Sequence, residues 1–296
     1  MKIKKAIIPS AGLGTRLLPA TFAQPKEMLP VGRKPTIQFV VEELANAGIK
    51  DILIVTGRNK RAIEDHFDMD HTLIENLRDK GKNKLLKQLQ FLKDLNVDIF
   101  FTRQSKPTGL ADAVLLGEAF IDDEPFVVSL GDTIIKSKNY KSNYLKRLCK
   151  FHIEKKSFGT IGVEEIAREE VFRYGIIEGI NCDENVIKIK NLIEKPSPDT
   201  APSNLAINGR YVFNPEIFDC IRKTTIGYGN ERQLTDSIRL LLKSGDIWAV
   251  KMLEGEIRYD IGNPFDYAKA YIELSLDDPA IKNQLISYLK ELIKQI

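Results

Sequence analysis

The sequence predicts an α/β fold in which a mostly parallel, twisted sheet is flanked by helices. Three observations carry this. Over residues 1–135 short apolar runs alternate with amphipathic stretches, the pattern of βαβ units. The run Ile52-Leu53-Ile54-Val55 shows no polar alternation, as expected of a strand covered on both faces. The first run leads into a glycine-rich turn at Ala11-Gly12-Leu13-Gly14, and α/β sheets bind ligands at the carboxyl ends of their strands. The 296 residues carry 44 Lys and Arg against 41 Asp and Glu, a net charge of +3, with 43% hydrophobic residues. That is the balance of a soluble globular chain. It disfavours a strongly basic nucleic-acid binder.

The elements follow in order. Residues 4–9 read as a strand; the basic start before them is too short for a signal peptide. Residues 36–47 read as a helix with Ile37, Val40, Val41 and Leu44 on one face and Gly48 as its stop. Residues 52–56 are a strand and 60–67 a helix. The Lys-rich stretch 73–95 reads as a long helix with Leu85, Leu89 and Leu92 on a stripe, interrupted at Gly81. Strand 97–101, helix 110–120 and strand 126–130 complete the first half. The second half is mixed: strands at 157–163, 175–180, 186–194 and 207–213, a Pro/Ser-rich loop at 196–204 and a helix at 233–244. From Asp278 the chain reads as one or two helices with Leu285, Leu289, Leu292 and Ile296 on a stripe, facing either the core or a second subunit. No apolar run approaches the ~18 residues of a membrane span. Cys149, Cys182 and Cys220 are widely spaced and odd in number, which predicts ordinary buried or half-buried thiols in a reducing cytoplasm.

Four segments carry chemistry. Glycines at 12 and 14 let backbone amides approach an anion, and Arg16 with Lys26 suits a polyphosphate, the arginine as a fork and the lysine as a point charge. The segment is neither a dinucleotide fingerprint, which needs glycine where Leu17 stands, nor a Walker A loop. This weighs against an NAD-dependent oxidoreductase. Gly131-Asp132 ends a buried strand, so its carboxylate faces the ligand, and a carboxylate beside phosphates suits Mg²⁺. Glu194-Lys195-Pro196 adds a cation, and Tyr259-Asp260-Ile261-Gly262 a second carboxylate. His66, Asp68, Asp70 and His71 look metal-like, but the histidines are five apart rather than the four of a helical metal pair, and a solvated helix end is expected.

The stretches AGLGTRLLPAT, QPKEMLPV, VTGRNKRAIEDHFD, GLADAV, GDT, FRYGII, EKP, APSNLAINGRYVF, ERQLTD and RYDIG, in this order over residues 6 to about 270, closely resemble the sugar nucleotidylyltransferases. Within them the likeness is to the bacterial-type UTP–glucose-1-phosphate uridylyltransferases. The resemblance implies the Rossmann-like nucleotide-diphospho-sugar transferase fold. It implies a catalytic region over 1–275, with a nucleotide half at 1–135 and a sugar-phosphate half at 136–275, and a helical segment at 276–296. Ala11, Gly12 and Gly14 would contact the nucleotide, Gln104 and Gly109 the uracil edge, and Glu27 the ribose. Arg16 and Lys26 would hold the triphosphate. Asp132, with Asp260 as second ligand, would bind Mg²⁺. Gly175 and Glu194 would hold the sugar and Lys195 its phosphate. The substrates implied are UTP and glucose 1-phosphate, with dTTP as the alternative nucleotide. No nucleic acid or membrane partner is implied, and a cytoplasmic homodimer or homotetramer is. A binding protein with a degenerate transferase fold would be expected to lack Arg16, Lys26, Asp132 or Lys195, and all four are present. The chain departs from the family pattern at Asp112, where His is common, at Thr133, at Asn230 and at Asp266; Asp112 and Asp266 are read as added negative charge that alters base or sugar preference.

Overall fold

Strand β1 (Lys5–Pro9) lies inside the sheet because Ala6, Ile7 and Ile8 are fully buried on alternating faces. The structure, a computed structural model, describes residues 2–137 and 143–295. Ribbons β2 (Pro30–Val31) and β3 (Lys34–Pro35) pair with each other. Strands β4 (Asp51–Thr56), β5 (Asp98–Arg103) and β6 (Phe126–Ser129) extend the sheet around β1, all parallel. Strand β7 (Thr133–Ser137) leaves it. The second half contributes β8 (Gly159–Glu165), β9 (Gly175–Asp183), β10 (Val186–Glu194), β11 (Leu205–Phe213), β12 (Ile247–Lys251) and β13 (Glu256–Asp260). Among the described residues nine strands form one sheet in the order β5-β4-β1-β6-β11-β8-β12-β10-β9.

The parallel expectation therefore holds for β5-β4-β1-β6 and for β8-β12, while β11 runs antiparallel to both neighbours and β9-β10 is an antiparallel hairpin joined to β12. Strand-helix alternation, the signal for parallel pairing, breaks down at β8-β9-β10-β11, four strands with no α-helix between them. Side chains divide by the two-residue period: Ile7, Leu53, Val55 and Val128 pack in one core, and Ile8, Ile52, Ile54 and Val127 in another. The helix Thr36–Ala47 covers the second core with Ile37, Val40, Val41 and Leu44, and ends at Gly48 in the left-handed conformation, φ 98°.

Some helices are shorter than their periodicity suggests. The stretch 73–95 folds as three, His71–Asp79, Asn83–Leu89 and Phe91–Leu95. Gly81 is a break, as expected, at φ 64°, and Gln90 makes another. The stretch 110–120 splits into Leu110–Leu115 and Glu118–Ile121 at Gly117, where a Cβ would meet Leu53 Cδ2 at 3.3 Å and crowd Ile7. The C-terminal segment is one helix, Lys282–Ile293, with Leu285 and Leu289 half-buried and Leu292 exposed. The Leu92 side chain and Ile296 lie outside the described residues. No helix among the described residues is long and apolar enough to cross a membrane.

The cysteines correct one expectation. Cys220 is buried and Cys149 half-buried, but Cys182 is exposed, because β9 runs past the core edge from Glu178 to Asp183. Burial, with the Glu43 carboxylate adding to it, pushes the Cys149 thiol up to about 12. Alkylation at mildly alkaline pH is therefore expected to label Cys182 while Cys149 and Cys220 stay protected until the chain is denatured. Peptide mass spectrometry checks the order, and labelling of Cys149 before Cys182 would contradict it.

Candidate active site

The site forms where the parallel strands end. Past β1 the chain turns through Gly14, φ 69°, into the 3₁₀ turn Thr15–Leu17, and Thr21 Oγ1 fastens the turn by donating to the Gly14 carbonyl at 2.7 Å. The turn Lys26–Met28 brings the Lys26 ammonium beneath it, where a Cβ on Gly12 would lie 3.6 Å from Nζ. The result is a hollow of about 120 Å³ lined by Gly12, Leu13, Gly14, Arg16, Lys26 and Gly262, among others. Gly12, Gly14, Arg16 and Lys26 are thus brought together, as the sequence predicts.

Asp132 follows β6 and meets Lys26, Nζ to Oδ2 2.5 Å. Gly131 fits the strand end closely: a Cβ there would clash with Ser10 Oγ and press on Ile8 and, at 3.3 Å, on Glu27 Cγ. Burial alone would lower the Lys26 pKa, but the Asp132 and Glu27 carboxylates outweigh it and hold the ammonium above the usual lysine range. Burial alone would raise Asp132; Lys26, first by charge and then by hydrogen bond, brings it below the usual carboxylate range. Glu27 is the opposite case. It is 1% exposed, and burial pushes its carboxyl up despite Lys26 and Lys60, the latter 2.7 Å away. Expected as a ribose contact, Glu27 instead lies sealed beneath the site as a counter-ion, because the turn that presents Lys26 directs the next side chain inward.

Asp260 arrives from a different part of the chain. Strand β13 pairs with β7 so that Asp260 stands opposite Thr133, the residue after Asp132. A Cβ on Gly262 would lie 2.8 Å from an Arg16 guanidinium nitrogen, 3.1 Å from Asp260 Oδ1 and 3.4 Å from Asp132 Oδ2. Two carboxylates and a guanidinium therefore converge on one point. Asp260 Oδ1 accepts from the Gly262 amide, and its Oδ2 faces Arg173 at 3.4 Å.

Beyond Asp132 opens a cleft of about 680 Å³ whose lining includes Arg16, Asp132, Gly175, Glu194, Lys195 and Asp260. Gly175 lets Glu194 approach: a Cβ there would meet Thr235 Oγ1 at 2.8 Å and Glu194 Oε2 at 3.2 Å. Thr235 donates to Glu194 at 2.6 Å. Lys195, at φ 46°, turns back so that Nζ lies 3.2 Å from Glu194 and 4.9 Å from the Tyr228 ring centroid. On the opposite side of the nest, Ala11, Leu13, Lys60, Gln104 and Pro107 help to line a further hollow of about 150 Å³. Gly109 stands behind it, its carbonyl accepting from Gln104 Nε2 at 3.2 Å. Leu13 lines the 150 Å³ and 120 Å³ hollows and Arg16 the 120 Å³ hollow and the large cleft, so three recesses run in a row.

The nucleotidyl transferase family profile matches residues 5–275. The chain belongs to the nucleotidyl transferase family. A UTP–glucose-1-phosphate uridylyltransferase of Bacillus subtilis strain 168 is 48% identical over 296 residues, covering 99% of this chain and 97% of the relative. A solved UDP-glucose pyrophosphorylase complexed with UDP-glucose has a TM-score of 0.82 at 40% identity, covering 91% of this chain and 97% of that one. A UTP-bound UGPase from Acinetobacter baumannii has a TM-score of 0.90 at 33% identity, covering 98% and 99%.

In this nucleotidyl transferase both departures in charge meet a cation. Asp112 pairs with Arg232, whereas Asp266 shares Arg173, at 3.1 Å, with Asp260 and Glu170. Asn230 takes φ 58°, a left-handed position that asparagine tolerates. Thr133 opens β7 and its carbonyl accepts from Arg210, a fully buried side chain that also grips Glu43. In the metal-like stretch, Asp70 caps the helix His71–Asp79 by accepting from the Leu73 amide. His66 is half-buried rather than solvated, bonded to Gln38 and stacked on Phe91. Cleft residues the sequence reading left unassigned include Arg173, Tyr174, Thr235 and Arg258. They lie in the quoted FRYGII, ERQLTD and RYDIG stretches, which was the one signal available.

Asp132 titrates lower in the folded chain than the ~3.9 of an unfolded aspartate, so its pair contributes stability above that value, lost as pH falls through the folded value. Denaturant midpoints of the native chain should fall on acidification more steeply than those of Asp132→Asn. Parallel curves would contradict this.

Proposed function

We propose that the chain transfers a uridylyl group from UTP to glucose 1-phosphate, giving UDP-glucose and pyrophosphate. The observation that carries this is the row of three recesses, with cations on both sides of Asp132. The nucleoside fits the recess of Ala11 and Gln104, with Gln104, its amide fixed by the Gly109 carbonyl, reading the uracil edge. The triphosphate fits the nest of Gly12 and Gly14, held by Arg16 and Lys26. The sugar fits the cleft beside Gly175 and Glu194, and its phosphate meets Lys195. The lining matches what the relatives named above are said to act on and bind.

In the transfer a phosphate oxygen of glucose 1-phosphate forms a bond to the α-phosphorus. The bond from that phosphorus to the bridging oxygen of the pyrophosphate breaks, and the electron pair leaves with pyrophosphate. The attacking oxygen is already anionic at neutral pH, so no general base is required. Among the described residues no histidine lines any of the three recesses. The protein's task is to hold two mutually repelling anions in line. Arg16 and Lys26 neutralise the departing phosphates, and Lys195 neutralises the incoming one. The converging Asp132 and Asp260 oxygens fit a divalent cation, since Mg²⁺ takes one or two carboxylates and fills its shell with phosphate oxygens and water. When bound it would stabilise charge on the α-phosphate. The half-exposed stripe of the helix Lys282–Ile293 supports assembly as a homodimer or homotetramer, and the free thiols support a cytoplasmic setting.

The first test is pyrophosphate release with Mg²⁺ and glucose 1-phosphate across UTP, dTTP, ATP, CTP and GTP. UTP should be strongly preferred, and chelation should abolish turnover until Mg²⁺ is restored. Equal turnover with dTTP would overturn the base assignment, and silence with every nucleotide the activity itself. Lys195→Ala should raise the KM for glucose 1-phosphate and slow turnover by ~100-fold, the size of one preorganised charge contact. UTP affinity should hold; its loss would remove Lys195 from the sugar side.

A further inference from the structure

Asp112 and Arg232 touch none of the three recesses through their charged ends, yet Arg232 is bonded into the base-side loop. Its amide donates to the Thr108 carbonyl at 2.9 Å, and its carbonyl accepts from the Ala111 amide at 3.2 Å. Between those bonds lies Gly109, at φ 127°, where a Cβ would meet the Arg232 amide at 2.7 Å and crowd its carbonyl. No side chain fits there, so the Gly109 peptide lies flat on the Arg232 backbone. The guanidinium of Arg232 then reaches past it in two directions. Nε donates to the Thr224 carbonyl at 2.9 Å, and Nη1 donates to Asp112 Oδ1, in the first turn of the helix Leu110–Leu115. The Gly109 carbonyl accepts from Gln104, which is 8% exposed and lines the nucleoside recess with Ser105 and Pro107. A continuous path of direct contacts runs from Asp112 through Arg232 and Gly109 to Gln104.

We propose that the Asp112–Arg232 pair is a positioning clasp that sets base specificity; this rests on the uridylyl reading. The side-chain pair holds the Asp112 end of the 108–112 segment to residue 232, whose backbone amide already holds the Thr108 end, and together they fix the wall formed by Gln104, Ser105 and Pro107. Thymine differs from uracil by a C5 methyl group. A fixed wall has no room to yield to it, and a released wall does. The clasp acts on the base through Gly109 and Gln104 and not on the phosphates, because Arg16, Lys26 and Asp132 are held by a separate set of contacts.

The test is a double-mutant cycle of Asp112→Asn, Arg232→Gln and both together, assayed with UTP and with dTTP. Each single change is expected to raise the KM for UTP roughly tenfold, the worth of one charge-assisted hydrogen bond. The KM for dTTP should rise less, so the preference for UTP shrinks. The double variant should be no worse than either single, the signature of one shared interaction. Turnover at saturation and the KM for glucose 1-phosphate should stay within about threefold of the native chain. A native chain active with UTP beside variants of unchanged KM and unchanged UTP preference overturns the clasp and leaves the transferase reading intact. Equal losses with both nucleotides, in kcat as well as KM and with a lowered melting temperature, mark plain structural damage and also overturn it. A native chain silent with UTP overturns the transferase reading and the clasp with it.

Discussion

The site depends on one constraint: four charges that the fold buries or half-buries beneath the glycine turn after β1 must neutralise one another. Lys60 pairs with Glu27, and Lys26, next in sequence to Glu27, pairs with Asp132. An unpaired buried charge is expensive, and removing one member of such a pair typically costs ~3–5 kcal/mol, a large part of the ~5–15 kcal/mol that holds a domain together. The arrangement of the neighbouring backbone follows from this. Gly131 admits the Glu27 stem against the strand end, Gly12 leaves space over the Lys26 ammonium, and Gly262 leaves space among Arg16, Asp132 and Asp260. Of these glycines Gly262 is the one where a methyl group would press directly on charged atoms, those of Arg16 and Asp260.

The mixed sheet supplies the frame for that cluster. Its parallel half delivers the glycine turn and Asp132 from adjacent strand ends. Its antiparallel half returns Glu194 and Lys195 to the same side, through the β9-β10 hairpin that touches β11 at Ala206 and Ile176. The join is made by β11, whose Arg210 is fully buried and donates to both Glu43, on the helix Thr36–Ala47, and the Thr133 carbonyl. Arg210 thus ties a helix of the first half to the peptide beside Asp132. The β7-β13 ribbon adds Asp260 at a register that the Thr133 pairing fixes.

Much of the first half was legible from period and punctuation alone. The strand at 5–9, the helix Thr36–Ala47 with its Gly48 stop and the break at Gly81 are local features, written in neighbouring residues. The need for glycine at 117 is not legible, because the side chains a Cβ there would meet, Ile7 and Leu53, lie in strands far earlier in the chain. The site divides the same way. Gly12, Gly14, Arg16, Lys26 and Asp132 announce themselves by residue type next to a turn. The sequence shows Asp112 and Asp266 only as added negative charge, because the arginines they meet lie 120 and 93 residues away. Glu27 was read as a ligand contact because nothing in the linear order shows that Lys60, 33 residues on, neutralises it underneath. Pairing across such distances is a property of the folded sheet, and a single sequence records only the residue types.

The Lys26–Asp132 contact does not saturate the ammonium. The ammonium has three N–H donors and Asp132 takes one of them, which leaves two for a further acceptor in the hollow that Lys26 lines. The chain thus balances the charge of its own cation without using up that cation's donors.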